Sequence, residues 1–245
     1  GYEFDDGNLE SVTRTVSPFA LDRFEVTYRR FFRFLDAYDE LPIQSKNDGA
    51  NPNIPDSGWQ EDWNDSLALA RSRSDIEHEL SLCGAWRDMP EHDLPVRCVN
   101  WYVAMRFCIW DKARLPTEAE WAFAAAGGSD ERVFPWSSSD TDGIDETRAC
   151  YSADQPQRTV PDPVGSRPAG HGKYGHEDLA GNVWEWVADW YRERISNELC
   201  NGSSRVRRKR DGTTDCLELN PSGQRVQKGG SFRNFPSDLT TFTRG

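Results

Sequence analysis

The most informative stretch of the chain reads Asp178-Leu179-Ala180-Gly181-Asn182-Val183-Trp184-Glu185-Trp186. Within it, Gly181-Asn182 predicts a turn, because both residue types tolerate a positive φ angle. Trp184, Trp186 and Trp190 alternate along the chain, which is the pattern of a strand that buries one face. Asp178 and Glu185 stand at the two ends of the bend, and hard oxygen ligands gathered by a turn suit a calcium ion. The stretch therefore predicts a core strand whose preceding loop binds a metal ion.

Length and composition limit the class of protein. The chain has 245 residues without a compositional break, which favours one large domain. Only 36% of the residues are hydrophobic, but ten tryptophans each supply a large buried area, so we expect a compact aromatic core with long polar loops. A net charge of -12 argues against nucleic acid as a partner, because phosphate binding needs a basic surface. We also expect no transmembrane segment, since no apolar run is long enough.

The cysteines bear on the compartment in which the protein folds. They are scattered without a Cys-x-x-Cys pair, so the spacing of a zinc cage is absent. Dispersed cysteines in a loop-rich chain favour disulfides, and hence an exported protein. The alternative, that several are reduced cysteines in the core, stays open. The six are Cys83, Cys98, Cys108, Cys150, Cys200 and Cys216.

Three short helices are predicted, and each follows a residue that can cap its first turn. They run from Tyr28 to about Tyr38 after Thr27, from Trp101 to about Asp111 after Asn100, and from Glu118 to Ala126 after Thr117. Thr117 with Glu120 forms a capping box, and Gly127-Gly128 ends the third helix. A further short helix is expected near residues 65–73. The segment Arg225–Phe232 predicts a strand with a glycine bulge.

Two polar segments interrupt the predicted domain, which spans residues 17–245 after a lead-in of residues 1–16. The first insertion covers about residues 41–94 and the second about 192–222. The first contains three isolated tryptophans that are candidate contacts for a ligand, unless they only pack the insertion itself: Trp59, Trp63 and Trp86. Long loops of this kind are usually functional or held by a cross-link, and Cys83 is suited to provide one.

Four segments in this order resemble one family. They are Asp22–Thr27, Arg114–Gly128, Asp178–Trp186 and Arg225–Phe232. Together they are similar to the formylglycine-generating enzyme, or sulfatase-modifying factor, family. The resemblance implies an α+β domain with the C-type-lectin-like fold of that family: a single domain with mixed antiparallel sheets, few helices and much irregular loop.

The resemblance also implies a structural calcium ion. Its ligands would be the side chain of Asp178, the carbonyls of Gly181 and Val183, and the carboxylate of Glu185. The alternative, in which Asp178 caps a turn and Glu185 pairs with a buried arginine, stays open. A second calcium site of the family is not expected, because Cys150 stands where the family has asparagine.

The family's enzymes hold copper(I) on two cysteines that follow the Gly-Gly-Ser motif, since thiolates are the soft ligands that copper(I) requires. Those positions fall on Asn234 and Leu239, and residues 217–245 contain no cysteine. We therefore expect no copper and predict no formylglycine-generating activity. Cys108 resembles a family cysteine that pairs near the C-terminal end, in a region that this chain lacks.

The sequence leaves two functions to compare. The first is a non-catalytic, calcium-stabilised module of an exported bacterial protein, expected to be a monomer that binds a protein, peptide or glycan. The second is an oxidoreductase of the formylglycine-generating type or a related chemistry. An iron site of the kind used in a related branch is not indicated, because His171 and His176 are placed like loop residues rather than as a helical ligand pair.

Overall fold

The computed structural model of the protein describes residues 2–4, 12–14, 16–66, 70–84, 93–138, 142–152, 159–192, 217–219 and 221–245. Within these ranges it contains four α-helices and two sheets of two antiparallel strands each. The helices are α1 (Tyr28–Ala37), α2 (Arg73–Leu82), α3 (Trp101–Trp110) and α4 (Glu118–Ala125). The strands are β1 (Tyr2–Phe4) paired with β2 (Val12–Arg14), and β3 (Glu185–Trp190) paired with β4 (Arg225–Lys228). Single turns of 3-10 helix lie at Tyr38–Glu40, Glu61–Asp65, Gly128–Asp130, Pro168–Gly170 and Pro236–Leu239.

Side-chain caps start the three predicted helices, which are confirmed as α1, α3 and α4. The Asn100 side chain accepts a hydrogen bond from the Val103 amide at 3.0 Å. At α4 the capping box is complete, because Thr117 accepts from the Glu120 amide at 3.1 Å and Glu120 accepts from the Thr117 amide at 2.8 Å. Gly127 follows α4 with a φ of 71°, as expected of a glycine that ends a helix.

The first insertion is folded onto the core rather than extended from it. Its helix α2 begins at Arg73, so the prediction of a helix near residues 65–73 was wrong in position; a Ser72–Asp75 capping box sets the start. Trp59 is fully buried, and Trp63 packs edge-on against Trp101 with ring centroids 5.2 Å apart. Both tryptophans therefore pack the interior, and Trp59 is not accessible to a ligand. Trp86 lies outside the described residues.

A disulfide between Cys83 and Cys98 confirms the expected cross-link. Cys83 caps the C-terminal end of α2, and Cys98 lies two residues before Asn100, the N-cap of α3, so the bond ties the insertion to the core. Cys108 and Cys150 are outside disulfides. The remaining two cysteines, Cys200 and Cys216, are not among the described residues.

The predicted buried face of β3 was the wrong one. Val187 and Asp189 are the fully buried residues, whereas Trp186 and Trp190 are half-buried. Both faces of the strand are covered: Val187 packs against Trp121 of α4, and the Trp186 side packs against α3. Side chains do alternate between the two faces of β3, but Val187 and Asp189 lie on the more buried face and the larger tryptophans on the other.

The remaining extended structure differs from the predicted strand with a glycine bulge. The segment before α1 forms no strand and contributes an isolated bridge between Thr27 and Pro95. Strand β4 ends at Lys228, and Gly229 and Gly230, both with positive φ, form the turn that follows. The irregular register lies in β3, between Trp186 and Trp190, rather than at these glycines.

No helix in the described part of the chain is long and apolar enough to span a membrane.

Candidate functional site

The turn that precedes β3 is fixed by three backbone hydrogen bonds to two other segments of the chain. The Gly181 amide donates to the Gly229 carbonyl and the Asn182 amide to the Cys150 carbonyl, both at 2.8 Å. The Asn182 carbonyl in turn accepts from the Phe232 amide at 2.8 Å. Gly181 has a φ of 90°, and a Cβ there would lie 2.2 Å from the Cys150 carbonyl oxygen, so this position requires glycine.

The oxygens predicted to bind calcium include two unused carbonyls. In the described part of the chain, no hydrogen bond uses the carbonyl oxygen of Gly181 or Val183. Asp178 accepts the Gly165 amide at 2.6 Å through Oδ2, and Glu185 accepts the Trp121 indole at 3.0 Å through Oε2. Asp178 therefore does fix a loop amide, but the partner of Glu185 is an indole and not an arginine.

Glu25 is a third carboxylate at the turn, and sequence reasoning did not assign it a role. Its Oε1 accepts the Val183 amide at 3.0 Å, and its Oε2 accepts the Asn182 side-chain amide at 2.6 Å. The only sequence signal was an acidic residue between Phe24 and Val26, within a segment that already resembled the family.

The electrostatics of the turn favour a bound cation. Burial raises the pKa of Asp178 to about 6 and that of Glu185 to about 7. Burial also raises the pKa of Glu25 well above its ordinary value, and repulsion from Asp178 and Glu185 adds to the increase. A divalent cation among these groups would favour their charged forms and offset the cost of burying them.

The donor set fits a hard cation bound partly by main-chain oxygens. Among the described residues, no three His, Cys, Asp or Glu side chains are arranged to hold a metal. Calcium in proteins takes carboxylate and carbonyl oxygens together, so two carboxylates and two unused carbonyls on one turn are a suitable set. His171 does not contribute, since its Nδ1 lies 3.0 Å from the carbonyl of the next residue, Gly172.

A cavity of about 430 Å³ lies beside the turn. Its wall includes Glu25, Glu185, Trp184 and Cys108. Burial raises the pKa of Cys108 to about 12, so its sulfur is a thiol and not the thiolate that nucleophilic or metal-binding chemistry needs. The cavity therefore has an acidic wall but no activated cysteine.

Asp189 of β3 is buried. It accepts the amides of Glu118 at 2.7 Å and Glu218 at 3.0 Å, and burial raises its pKa to about 7. Beside it, Arg244 pairs with Glu118 at 2.7 Å, and the fully buried Lys228 lies 3.9 Å from the same carboxylate. These groups hold elements together and leave Asp189 no open face for general-base catalysis.

Asn234 and Leu239, the positions to which the resemblance assigns the copper cysteines, carry no thiolate. Asn234 accepts a hydrogen bond from the Ser231 hydroxyl at 2.6 Å and donates one to Asp238 at 3.1 Å. Leu239 is fully buried and packs against Ala180, next to the turn that precedes β3. The space is filled by an amide network and an alkyl side chain.

Comparison with known proteins agrees with the motifs and the geometry. The chain matches the family model described as "Sulfatase-modifying factor enzyme 1-like domain" over residues 3–245. The protein belongs to this family. The match includes both insertions and residues 3–16 of the lead-in segment.

Two curated relatives of this sulfatase-modifying-factor domain differ in their named activity. It is 31% identical over 211 residues to the formylglycine-generating enzyme of Thermomonospora curvata, covering 76% of this chain and 65% of the relative. It is 29% identical over 220 residues to "Inactive C-alpha-formylglycine-generating enzyme 2" of Mus musculus, covering 76% of this chain and 63% of the relative. The chain thus spans less than two thirds of either relative, and family membership leaves its activity open.

A solved structure agrees with the fold of the sulfatase-modifying-factor domain. PvdO from Pseudomonas aeruginosa superposes with a TM-score of 0.59 at 20% identity, covering 98% of this chain and 78% of that one. The α+β class with few helices, small antiparallel sheets and much loop is therefore confirmed.

Proposed function

We propose that this domain is a non-catalytic, calcium-stabilised member of the sulfatase-modifying factor family that serves as a binding or structural module. The observation that carries the proposal is the pair Asn234 and Leu239, which replaces the two thiolates expected to hold copper(I). An amide and a leucine cannot supply the soft ligands of that ion. The named inactivity of one relative supports the same conclusion.

Calcium is assigned a structural role at the turn before β3. Asp178, Gly181, Val183 and Glu185 would hold the ion, which would supply positive charge among buried carboxylates and cross-link the turn. The unused carbonyls of Gly181 and Val183 support this assignment. The ion performs no chemical step in this proposal.

The module is assigned to an exported bacterial protein that binds a protein, peptide or glycan as a monomer. The Cys83–Cys98 disulfide supports export, because such bonds persist in oxidising compartments. The charge of -12 disfavours a nucleic-acid partner.

Calcium binding is tested by thermal unfolding with calcium and with chelator. The wild type should melt higher with calcium, since a ligand at 100 times its Kd stabilises the native state by about 2.7 kcal/mol. Glu185→Ala should abolish the difference. Glu185→Gln keeps an acceptor for Trp121 but removes the charge, so its loss of the calcium effect separates ion binding from simple misfolding. Equal melting temperatures of the wild type in both buffers would refute calcium binding.

The alternative function is an oxidoreductase of the formylglycine-generating type, and one observation bears on it. Cys150 is buried next to the turn that contacts Leu239, so a cysteine lies beside one of the positions that the resemblance assigns to copper. The decisive assay incubates the protein with copper(I) and a Cys-x-Pro-x-Arg peptide and measures the peptide mass. We expect an unchanged mass; copper-dependent aldehyde formation would overturn the non-catalytic proposal.

A further inference from the structure

Glu25 connects the turn to the segment that starts α1. Asn182 and Val183, its two partners, are 157 and 158 residues away in sequence. On the other side of Glu25, the Val26 carbonyl accepts the Val96 amide at 2.8 Å, and Thr27 caps α1. A single side chain thus bridges the turn and the N-terminal helix.

The contact fixes the central peptide of the turn. The Asn182 carbonyl is held by the Phe232 amide, and the amide of the same peptide, on Val183, is held by Glu25. The two carbonyls on either side, those of Gly181 and Val183, are the ones left unused. Because the peptide between Asn182 and Val183 is held at both its carbonyl and its amide, the carbonyls of Gly181 and Val183 are fixed in the direction in which they would face a cation.

We propose that Glu25 is a positioning residue for the calcium turn, and that it couples occupation of the turn to the stability of α1. The inference rests on the proposed calcium site. Glu25 acts by orientation, because both of its oxygens accept hydrogen bonds from the turn and hold the peptide between the two unused carbonyls. Partners that orient metal ligands typically contribute 10- to 100-fold in affinity.

The first test measures calcium affinity by isothermal titration. Glu25→Gln should raise the Kd by about 10- to 100-fold, because the neutral amide offers only one acceptor for two donors. Glu25→Asp keeps the charge but is one methylene shorter, so we expect a smaller rise. Asp22→Asn is the matched control: Asp22 lies in the same cavity wall but pairs with Arg30, so the Kd of this variant should equal that of the wild type.

The second test measures hydrogen exchange with and without chelator. In the wild type, chelation should increase exchange in the turn and also in α1. In Glu25→Gln at saturating calcium, removal of the ion should change exchange in the turn alone. A merely structural role of Glu25 would instead raise exchange in α1 equally in both buffers.

The outcomes separate this inference from the function on which it rests. A wild type that does not bind calcium refutes the calcium site itself. Calcium binding with an unchanged Kd in Glu25→Gln and Glu25→Asp, or without any effect on α1, refutes the role of Glu25 and leaves the site standing. If Glu25→Gln does not fold, the calcium Kd of Glu25→Asp and the hydrogen-exchange pattern of the wild type still test the role of Glu25.

Discussion

Gly181 shows how strongly a single residue constrains the turn. It combines a φ of 90° with a backbone oxygen where a side chain would begin. The positive φ costs free energy for any residue with a side chain. An added Cβ would also clash with the Cys150 carbonyl oxygen, which cannot move away without breaking its hydrogen bond to the Asn182 amide. The position therefore tolerates no side chain.

The prediction at this scale uses two glycines with nearly the same φ. Gly223 has a φ of 89° and nothing within 4 Å of an added Cβ, so Gly223→Ala isolates the backbone cost, which is about 1–2 kcal/mol. Gly181→Ala should reduce the free energy of unfolding by clearly more, because the clash with Cys150 adds to that cost. Urea denaturation of both variants in chelator measures the difference. Equal losses of unfolding free energy in the two variants would show that the turn accommodates the added methyl group at no further cost.

At the scale of elements, the Cys83–Cys98 disulfide joins α2 to the start of α3 across 15 residues of sequence. Both cysteines are exposed, so a reductant in solution can reach them. Ile76 and Leu80 of α2 are buried in the cluster that contains Phe31 and Phe34 of α1. Loss of the cross-link therefore acts on a helix that forms part of the core.

We expect the double substitution of Cys83 and Cys98 by serine to lower the free energy of unfolding by about 3 kcal/mol, the loop-closure value for a bridge of this length. A reductant should destabilise the wild type and leave the double variant unchanged. Chemical denaturation of both proteins, with and without reductant, measures the two effects. A further loss on reduction of the variant would mean that another disulfide contributes.

Local elements were predictable and distant pairings were not. Thr117 and Glu120 are three residues apart, so their capping box can be recognised without knowing the fold. The face of β3 depends on which elements cover each side, and the alternation of its tryptophans could not decide that. Glu25 was missed because its partners lie more than 150 residues away, and nothing nearby in sequence marks the contact.

At the scale of the whole molecule, the buried charges around Asp189 make stability depend on pH. The folded-state pKa of Asp189 is about 7, above its ordinary value near 4. Between these values the folded protein retains a proton that the unfolded chain has released. Stability from this group is therefore fully present below pH 4 and is lost as the pH rises through 7.

The corresponding prediction compares the wild type with Asp189→Asn between pH 4 and pH 8. The stability advantage of the wild type should shrink as the pH rises to about 7, at no more than about 1.4 kcal/mol per pH unit, and then level off. Measurements in chelator keep the turn before β3 free of metal in both proteins. Parallel curves for the two proteins would show that Asp189 titrates in the folded state as it does in the unfolded chain.

The hydrogen bond between Trp121 and Glu185 gives the protein an intrinsic optical signal. The Trp121 indole is fully buried and donates to a carboxylate that is assigned to the ion. The emission of an indole responds to the charge beside it, so occupation of the turn should alter the fluorescence without any added label. Trp121→Phe would remove this component from the signal of the ten tryptophans. Trp121, which packs α4 against the β3–β4 sheet, should therefore also report cation binding at the turn through its fluorescence.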